Sequence, residues 1–190
     1  MENLVTLFAV LAILGLFVIG IHNSILKNYN LVKRAWADVL VQERQRGRII
    51  EELEKVLQKH TTYESSVQEN ITRLRQGIDK LDENIIDTRQ QHKIDTINQE
   101  LMKQIHVAVE NYPELKASES FAKYMNEITN QENNVGAALR IFNANVADFN
   151  SQIQSIPTNI INNQLTKKQV IETFKDKKAS KSFDYTPNID

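Results

Sequence analysis

The feature that most constrains this chain is "LVTLFAVLAILGLFVIGI", residues 4–21, eighteen residues in which Thr6 is the only polar side chain. As an α-helix this run extends about 27 Å, close to the thickness of the hydrocarbon core of a bilayer. Thirteen of the eighteen are Leu, Ile, Val or Phe. At roughly 0.3–0.6 kcal/mol for each such residue at mid-bilayer, transfer into lipid is favourable by several kcal/mol. A cleaved signal peptide carries Lys or Arg before its apolar region and a small-x-small site after it. Here the leader is Met1-Glu2-Asn3 and the exit is Ile19-Gly20-Ile21-His22. A helix in a soluble core is apolar along one stripe, whereas this one is apolar on every side, and the amphipathic remainder of the chain has nothing with which to surround it. The expectation is therefore a retained transmembrane anchor over residues 1–21. Lys27, Lys33 and Arg34 follow the span and no basic side chain precedes it. Basic flanks stay on the cytoplasmic side, which puts the N-terminus outside and the bulk of the chain in the cytoplasm.

Five Gly and three Pro in 190 residues leave too little punctuation for strands and turns, so the expected fold is all-α with one domain beyond the anchor. The absence of cysteine excludes disulfides, a thiolate nucleophile and zinc–thiolate sites. A net charge of −1 removes the bulk electrostatic case for nucleic acid.

No Pro or Gly lies between Ile21 and Val39, so the spanning helix is expected to continue out of the bilayer to about residue 60. Its seam reads Ile25, Tyr29, Val32, Trp36, Val39, Ile50, Leu53 and Leu57, in steps of three and four. The pattern breaks at His60–Ser66, with Thr62 or Ser65 as capping candidates, and a second stripe follows: Val67, Ile71, Leu74, Ile78, Leu81, Ile85. The third seam, Ile94, Ile97, Leu101, Ile105 and Ala108, is out of phase with the second by one position. The slip in "DTRQQHK", residues 87–93, means a kink or a reversal, and the reversal is favoured. Pro113 ends the third helix. In the last long helix Phe121, Ile128, Val135, Phe142, Phe149 and Ile156 recur every seven residues, with Met125, Leu139, Val146 and Ile153 as the companion row, until Pro157.

These segments predict a long antiparallel four-helix bundle over residues 22–157, with helices at about 22–60, 64–88, 92–112 and 117–156. A tail over 158–190 follows, in which Leu165, Val170, Ile171 and Phe174 suit one short amphipathic helix before a polar, mobile end. Three readings are open for this stretch: a helix resting on lipid headgroups through Lys167, Lys168 and Lys175, a helix packed on the bundle, or plain disorder.

Polar residues interrupt the seams at Glu43 and Arg46 in the first helix and at Glu132 in the fourth. With Ile25 and Ile156 level, antiparallel pairing brings Glu132 beside residues 46–50. An interior ion pair of Arg46 with Glu132 is then the expected register-setting contact, and a polar ligand or partner spot is the alternative.

"YNLVKRAWADVLVQERQR" (29–46), "ENYPELKASESF" (110–121) and "NQENNVGAALRIFNANVADFNSQIQSIP" (130–157) together resemble the LemA family of bacterial single-pass membrane proteins. The resemblance runs in order from the anchor to Pro157 and rests on "AWADV", "YPELKA" and the "FN…DFN" repeat. It implies a spanning N-terminal helix, a long helical bundle and a place in the bacterial inner membrane, and it carries no established enzymatic activity. Members often have a proline after the basic run; this chain has Arg48-Ile-Ile-Glu-Glu-Leu53, so its first helix is expected to be straighter.

The residues three before His22, His60, His92 and His106 are Ile19, Leu57, Arg89 and Lys103, so the Glu-x-x-His pairs of di-iron bundles are absent. No His-Glu-x-x-His, phosphate loop or nucleophile elbow occurs. No catalytic residue, cofactor or metal is expected. The favoured reading is a non-catalytic, membrane-anchored scaffold or interaction protein, acting through self-association or an unidentified membrane or cytoplasmic protein. The alternative is a membrane-tethered sensor that binds a ligand near Glu132 and signals through its bundle.

Overall fold

The computed structural model describes residues 1–60 and 65–175. The fold is all-α. Helix α1, Glu2–His60, is unbroken over 59 residues, about 88 Å at 1.5 Å per residue. Its first part is long and apolar enough to cross a membrane: the best 18-residue window has a mean hydropathy of 2.9 and none of it is buried. Leu4, Phe8, Leu11, Leu14 and Phe17 are all more than half exposed. Such a face fits a membrane anchor or a signal sequence, because water does not tolerate this much contiguous apolar surface. From Ile25 onward the same helix becomes amphipathic and enters the core.

The remaining long helices are α2 (Ser65–Asp79), α3 (Thr88–Asn111) and α5 (Glu119–Gln154), with a short α4 (Pro113–Lys116) bridging α3 to α5. Pairings fix their directions. Asn28 Nδ2 donates to Gln152 Oε1 at 2.8 Å, and Gln131 Nε2 donates to the Gln42 carbonyl at 2.8 Å, so α5 runs antiparallel to α1. Arg75 meets Glu51 at 2.7 Å while Ile78 lies beside Gly47, and Asn70 Nδ2 donates to Gln104 Oε1 at 2.9 Å while Gln90 Nε2 donates to the Gly77 carbonyl at 3.0 Å, so α2 is antiparallel to both α1 and α3. The result is an up-down-up-down bundle whose α1 extends far beyond it at one end.

The seams that the periodicity marks form one core. Ile25, Val32, Trp36, Val39, Ile50 and Leu53 are fully buried, as are Ile71, Leu74, Ile94, Leu101, Ile105, Phe142, Val146 and Phe149. Trp36 joins three elements. Its ring lies 5.4 Å from that of Phe142 on α5, and its Nε1 donates to the Asp82 carbonyl at 3.0 Å in the α2–α3 turn. A buried indole N–H that lacked this acceptor would forfeit its hydration.

Three boundaries differ from expectation. Helix α2 stops at Asp79 rather than near 88, and a turn with an Asp82–Ile85 bridge reverses the chain. Leu81 stays buried in that turn while Ile85 is exposed, so the second stripe ends one residue short. Helix α3 starts at Thr88 because Asp87 caps it, its side chain accepting from Gln90 N at 2.8 Å. At the other end α5 stops at Gln154, and Ile156 is 80% exposed. The heptad row is therefore closed by Phe149, with Ile153 in the companion row. Of the two capping candidates ahead of α2, Thr62 lies outside the described residues.

After Pro157 the chain forms one turn, α6 (Thr158–Ile161), and a π-turn, Asn162–Thr166. Residues 167–175 are not helical and do not form the amphipathic helix that the spacing of Leu165, Val170, Ile171 and Phe174 suggested. Leu165 and Val170 are exposed, and Phe174 is buried against the bundle. The polar end beyond residue 175 lies outside the described residues.

A Cβ added at Gly77 would sit 3.1 Å from Ile94 Cγ1, whereas at Gly136 the nearest atom is the mobile Arg140 Nη1 at 3.6 Å. Gly136→Ala should stabilise the protein by up to about 1 kcal/mol, the helix-propensity gain. Gly77→Ala should lose that gain to the displacement of Ile94. Urea melts of the detergent-solubilised full chain, followed by far-ultraviolet circular dichroism, separate the two.

Candidate functional site

Two polar features stand out from the apolar core: a buried belt across the middle of the bundle and a clamp that holds the extended segment after the π-turn.

The belt centres on Glu43, Arg46, Gln91 and Asn98, none more than 3% exposed. Glu43 and Arg46 lie three apart on α1 and therefore share one face. Arg46 Nη2 sits 2.6 Å from Glu43 Oε2, and Gln91 Nε2 on α3 donates to Glu43 Oε1. The expected pairing of Arg46 with Glu132 is thus replaced by an ion pair within α1. Glu132, half-buried, accepts instead from Asn98 Nδ2 at 2.7 Å. The helix face explains the difference. Gln131 is the residue of α5 that turns to α1, where it meets Gln42. Glu132, one residue on, is rotated by about 100° and bonds to Asn98 of α3 instead. Arg44 and Arg48 point outward, leaving Arg46 as the inward member of the basic run.

Burial pushes the Glu43 carboxyl above the ordinary carboxylate range, and the Arg46 guanidinium and the Gln91 amide oppose this without overcoming it. Arg46 Nε, Gln91 Oε1 and Asn98 Oδ1 are buried with no hydrogen-bonding partner among the described residues. Also among the described residues, no group of three His, Asp or Glu side chains is placed to hold a metal ion.

The clamp was not foreseen. Asn143 and Asn150 are seven apart on α5, each directly after a core phenylalanine, Phe142 and Phe149. One residue further is a rotation of about 100° on a helix, so each Phe enters the core and each Asn flanks it. Asn150 Nδ2 donates to the Ile171 carbonyl at 2.8 Å and its Oδ1 accepts from Ile171 N at 3.0 Å. Asn143 does the same for Phe174, at 2.7 Å and 2.8 Å. Asn162, in the π-turn, holds both backbone groups of Lys168, at 2.9 Å and 3.0 Å. Every third residue of the extended segment is thus gripped through its main chain. The Phe174 ring packs edge-on to His92 of α3 at 5.3 Å, and Lys168 Nζ lies 3.8 Å from the centre of the Tyr29 ring. Lys167 enters the segment with φ 51°, a left-handed conformation that costs a non-glycine residue roughly 1–2 kcal/mol. The sequence signal was the repeated Phe-Asn pair, whose Asn partners have no place on an apolar seam.

Of the basic residues after the span, Lys27 and Arg34 are exposed and Lys33 is half-buried. They lie on the part of α1 level with the C-terminal end of α5, where Gln152 Nε2 donates to Ser24 Oγ at 2.7 Å.

An apolar helix that continues as one wall of an antiparallel bundle, with a polar belt and an Asn-clamped strap, defines a class of helical-bundle protein with an apolar N-terminal extension. The profile of the LemA family matches residues 35–189, starting just past the apolar segment. The chain is also 27% identical over 163 residues to Protein LemA of Metamycoplasma hominis, an alignment that covers 84% of this chain and 72% of that protein. The chain belongs to the LemA family.

Replacing Arg46 by Leu leaves Glu43 buried without its counter-ion and should cost about 3–5 kcal/mol. Replacing both Glu43 and Arg46 by Leu should recover most of that loss, whereas adding Glu132→Leu to Arg46→Leu should not; equilibrium urea melts measure the coupling. The carboxyl also sets a pH dependence. Its folded-state pKa lies above its unfolded value near 4.5, so between the two the native state holds the extra proton and stability falls as pH rises. Melting curves from pH 4 upward should show this decline, and Glu43→Gln should flatten it.

Proposed function

We propose that this protein is a non-catalytic, membrane-anchored helical scaffold of the bacterial inner membrane, with its N-terminus outside and its bundle in the cytoplasm. The observation that carries this reading is the continuity of α1 from Glu2 to His60. Its first part exposes apolar side chains all round and its second part forms one wall of the core. The anchor and the bundle are therefore one mechanical piece, held at a fixed level relative to the lipid. The basic residues Lys27, Lys33 and Arg34 on the bundle side favour a cytoplasmic bundle. The partners suited to such a rod are the lipid bilayer, further copies of the chain, and a membrane or cytoplasmic protein that binds its flanks.

A sensor reading draws on the unpaired Arg46 Nε, Gln91 Oε1 and Asn98 Oδ1. A small polar ligand bonded to these atoms would bias the packing of α3 against α1, and so the anchor. Its signature is a pH- and ligand-dependent change in melting temperature that Asn98→Leu removes.

Because the chain has no cysteine, single introduced thiols report topology cleanly. In intact cells a membrane-impermeant maleimide should label Asn3→Cys and spare Lys59→Cys, and both variants should sediment with membranes. Recovery of soluble protein whose N-terminus lies beyond residue 21 would end the anchor reading. Crosslinking in the same cells, followed by mass spectrometry of the adducts, identifies what the bundle holds.

A further inference from the structure

The extended segment after the π-turn is held as a bound peptide would be. An α-helix advances about 10.5 Å in seven residues, and an extended chain covers about 10–11 Å in three. The seven-residue spacing of Asn143 and Asn150 therefore matches the three-residue spacing of Ile171 and Phe174, and each amide satisfies both the N–H and the C=O of one residue. Recognition of this kind addresses the main chain and so accepts many sequences. Side-chain anchoring is concentrated at Phe174, with a smaller share at Ile171. Val170, Glu172 and Lys175 are exposed, Ile171 is half-buried and Phe174 alone is buried. The segment also fills its groove incompletely. A cleft of about 770 Å³ remains between it and the first turns of α3, lined by Thr88, Arg89, His92 and Asn150. His92 Nδ1 is buried beside it without a partner among the described residues. On the outer edge the Arg89 guanidinium stands 4.0 Å from Glu172, which favours an acidic residue at that point.

We propose that the groove between α3 and α5 is a binding site for an extended peptide of a partner protein, which the chain's own Ile171–Phe174 segment occupies in cis. The ligand chemistry follows from the occupant: an apolar residue, an acidic one directly after it, and an aromatic three positions after the first, in an extended backbone that Asn150 and Asn143 grip. The inference rests on the interaction-protein reading and names the partner that such a protein would take. The cis segment competes at a high effective concentration, so a partner peptide gains access when the segment lifts about the strained Lys167.

The test uses the full chain in nanodiscs and a fluorescent peptide of the sequence QVIETFKDK, residues 169–177, with anisotropy as the readout. The peptide should bind saturably to an Ile171→Ala, Phe174→Ala variant, about tenfold or more tighter than to the unmodified chain. Adding Asn143→Leu and Asn150→Leu should weaken that binding by about tenfold or more, since two pairs of hydrogen bonds are lost. In the unmodified chain, excess peptide should speed hydrogen exchange at the Ile171 and Phe174 amides, a measurement that needs no variant. Absence of saturable binding to the strap-weakened variant, with its helicity intact, would overturn the proposal. So would binding that ignores the asparagine substitutions, or a dimer that needs Phe174 and resists the peptide. Membrane sedimentation and in-cell crosslinks that persist in these cases leave the scaffold reading standing while the groove proposal fails.

Discussion

The packing of α5 along α1 determines where everything else can be. Tyr29 meets Phe149 with ring centres 5.6 Å apart, and Trp36 meets Phe142 at 5.4 Å, so large rings from the two helices interlock at heptad intervals. A one-residue slip would rotate each of these rings off the seam. Once this register is set, the C-terminal end of α5 lies level with residues 24–28, just past the apolar segment. The polar belt falls at mid-bundle, and α2 and α3 close over the part of α1 that α5 leaves bare. Trp36 ties this closure to the seam, since its indole N–H reaches the α2–α3 turn.

Periodicity carried most of this information before any coordinates. Buried seams on α1, α3 and α5 coincide with the apolar rows because each row is long, and one face of a long helix has only one way to be covered. Short-range detail was harder to read. The reversal after α2 was legible as a phase slip, but its position depended on Asp87, whose capping oxygen outweighs the helical pattern through Ile85. The end of α5 was misplaced by two residues because Ile156 fits the heptad by type while Pro157 ends the helix before it. The ion pair was misread for a different reason: level alone sent Arg46 to Glu132, but Glu132 is turned towards α3, where Asn98 bonds to it, and Arg46 pairs with Glu43 on its own helix.

The intrahelical pair has its own physical logic. Two charges three residues apart on one helix remain neighbours in any tertiary arrangement, so their attraction does not depend on correct assembly. Specificity comes from the groups that reach them from other helices. Gln91 from α3 satisfies the carboxylate, and Asn98 satisfies Glu132 across the α3–α5 contact. A belt of this kind contributes little net stability, because desolvating Glu43 and Arg46 offsets their attraction. It does penalise packings in which α3 is shifted, since these would leave a buried charge with fewer hydrogen bonds.

The repeated Phe-Asn pair shows how one heptad serves two surfaces. Phe142 and Phe149 face α1 and supply the ring contacts that set the register. Asn143 and Asn150, one residue on, face the groove and grip the returning chain. The groove therefore inherits its spacing from the core: the helix repeat that places the rings 10.5 Å apart also places the amides at the interval of three extended residues. An extended segment laid there meets a matched acceptor and donor at every third residue whatever its side chains. A helical segment, rising only about 4.5 Å over three residues, would meet the first amide and miss the second. This mismatch explains why the stretch from Ile171 to Phe174 lies extended despite an apolar spacing that suits a helix. The amide pairs satisfy main-chain groups that an extended chain cannot satisfy within itself, and burial of Phe174 anchors the end.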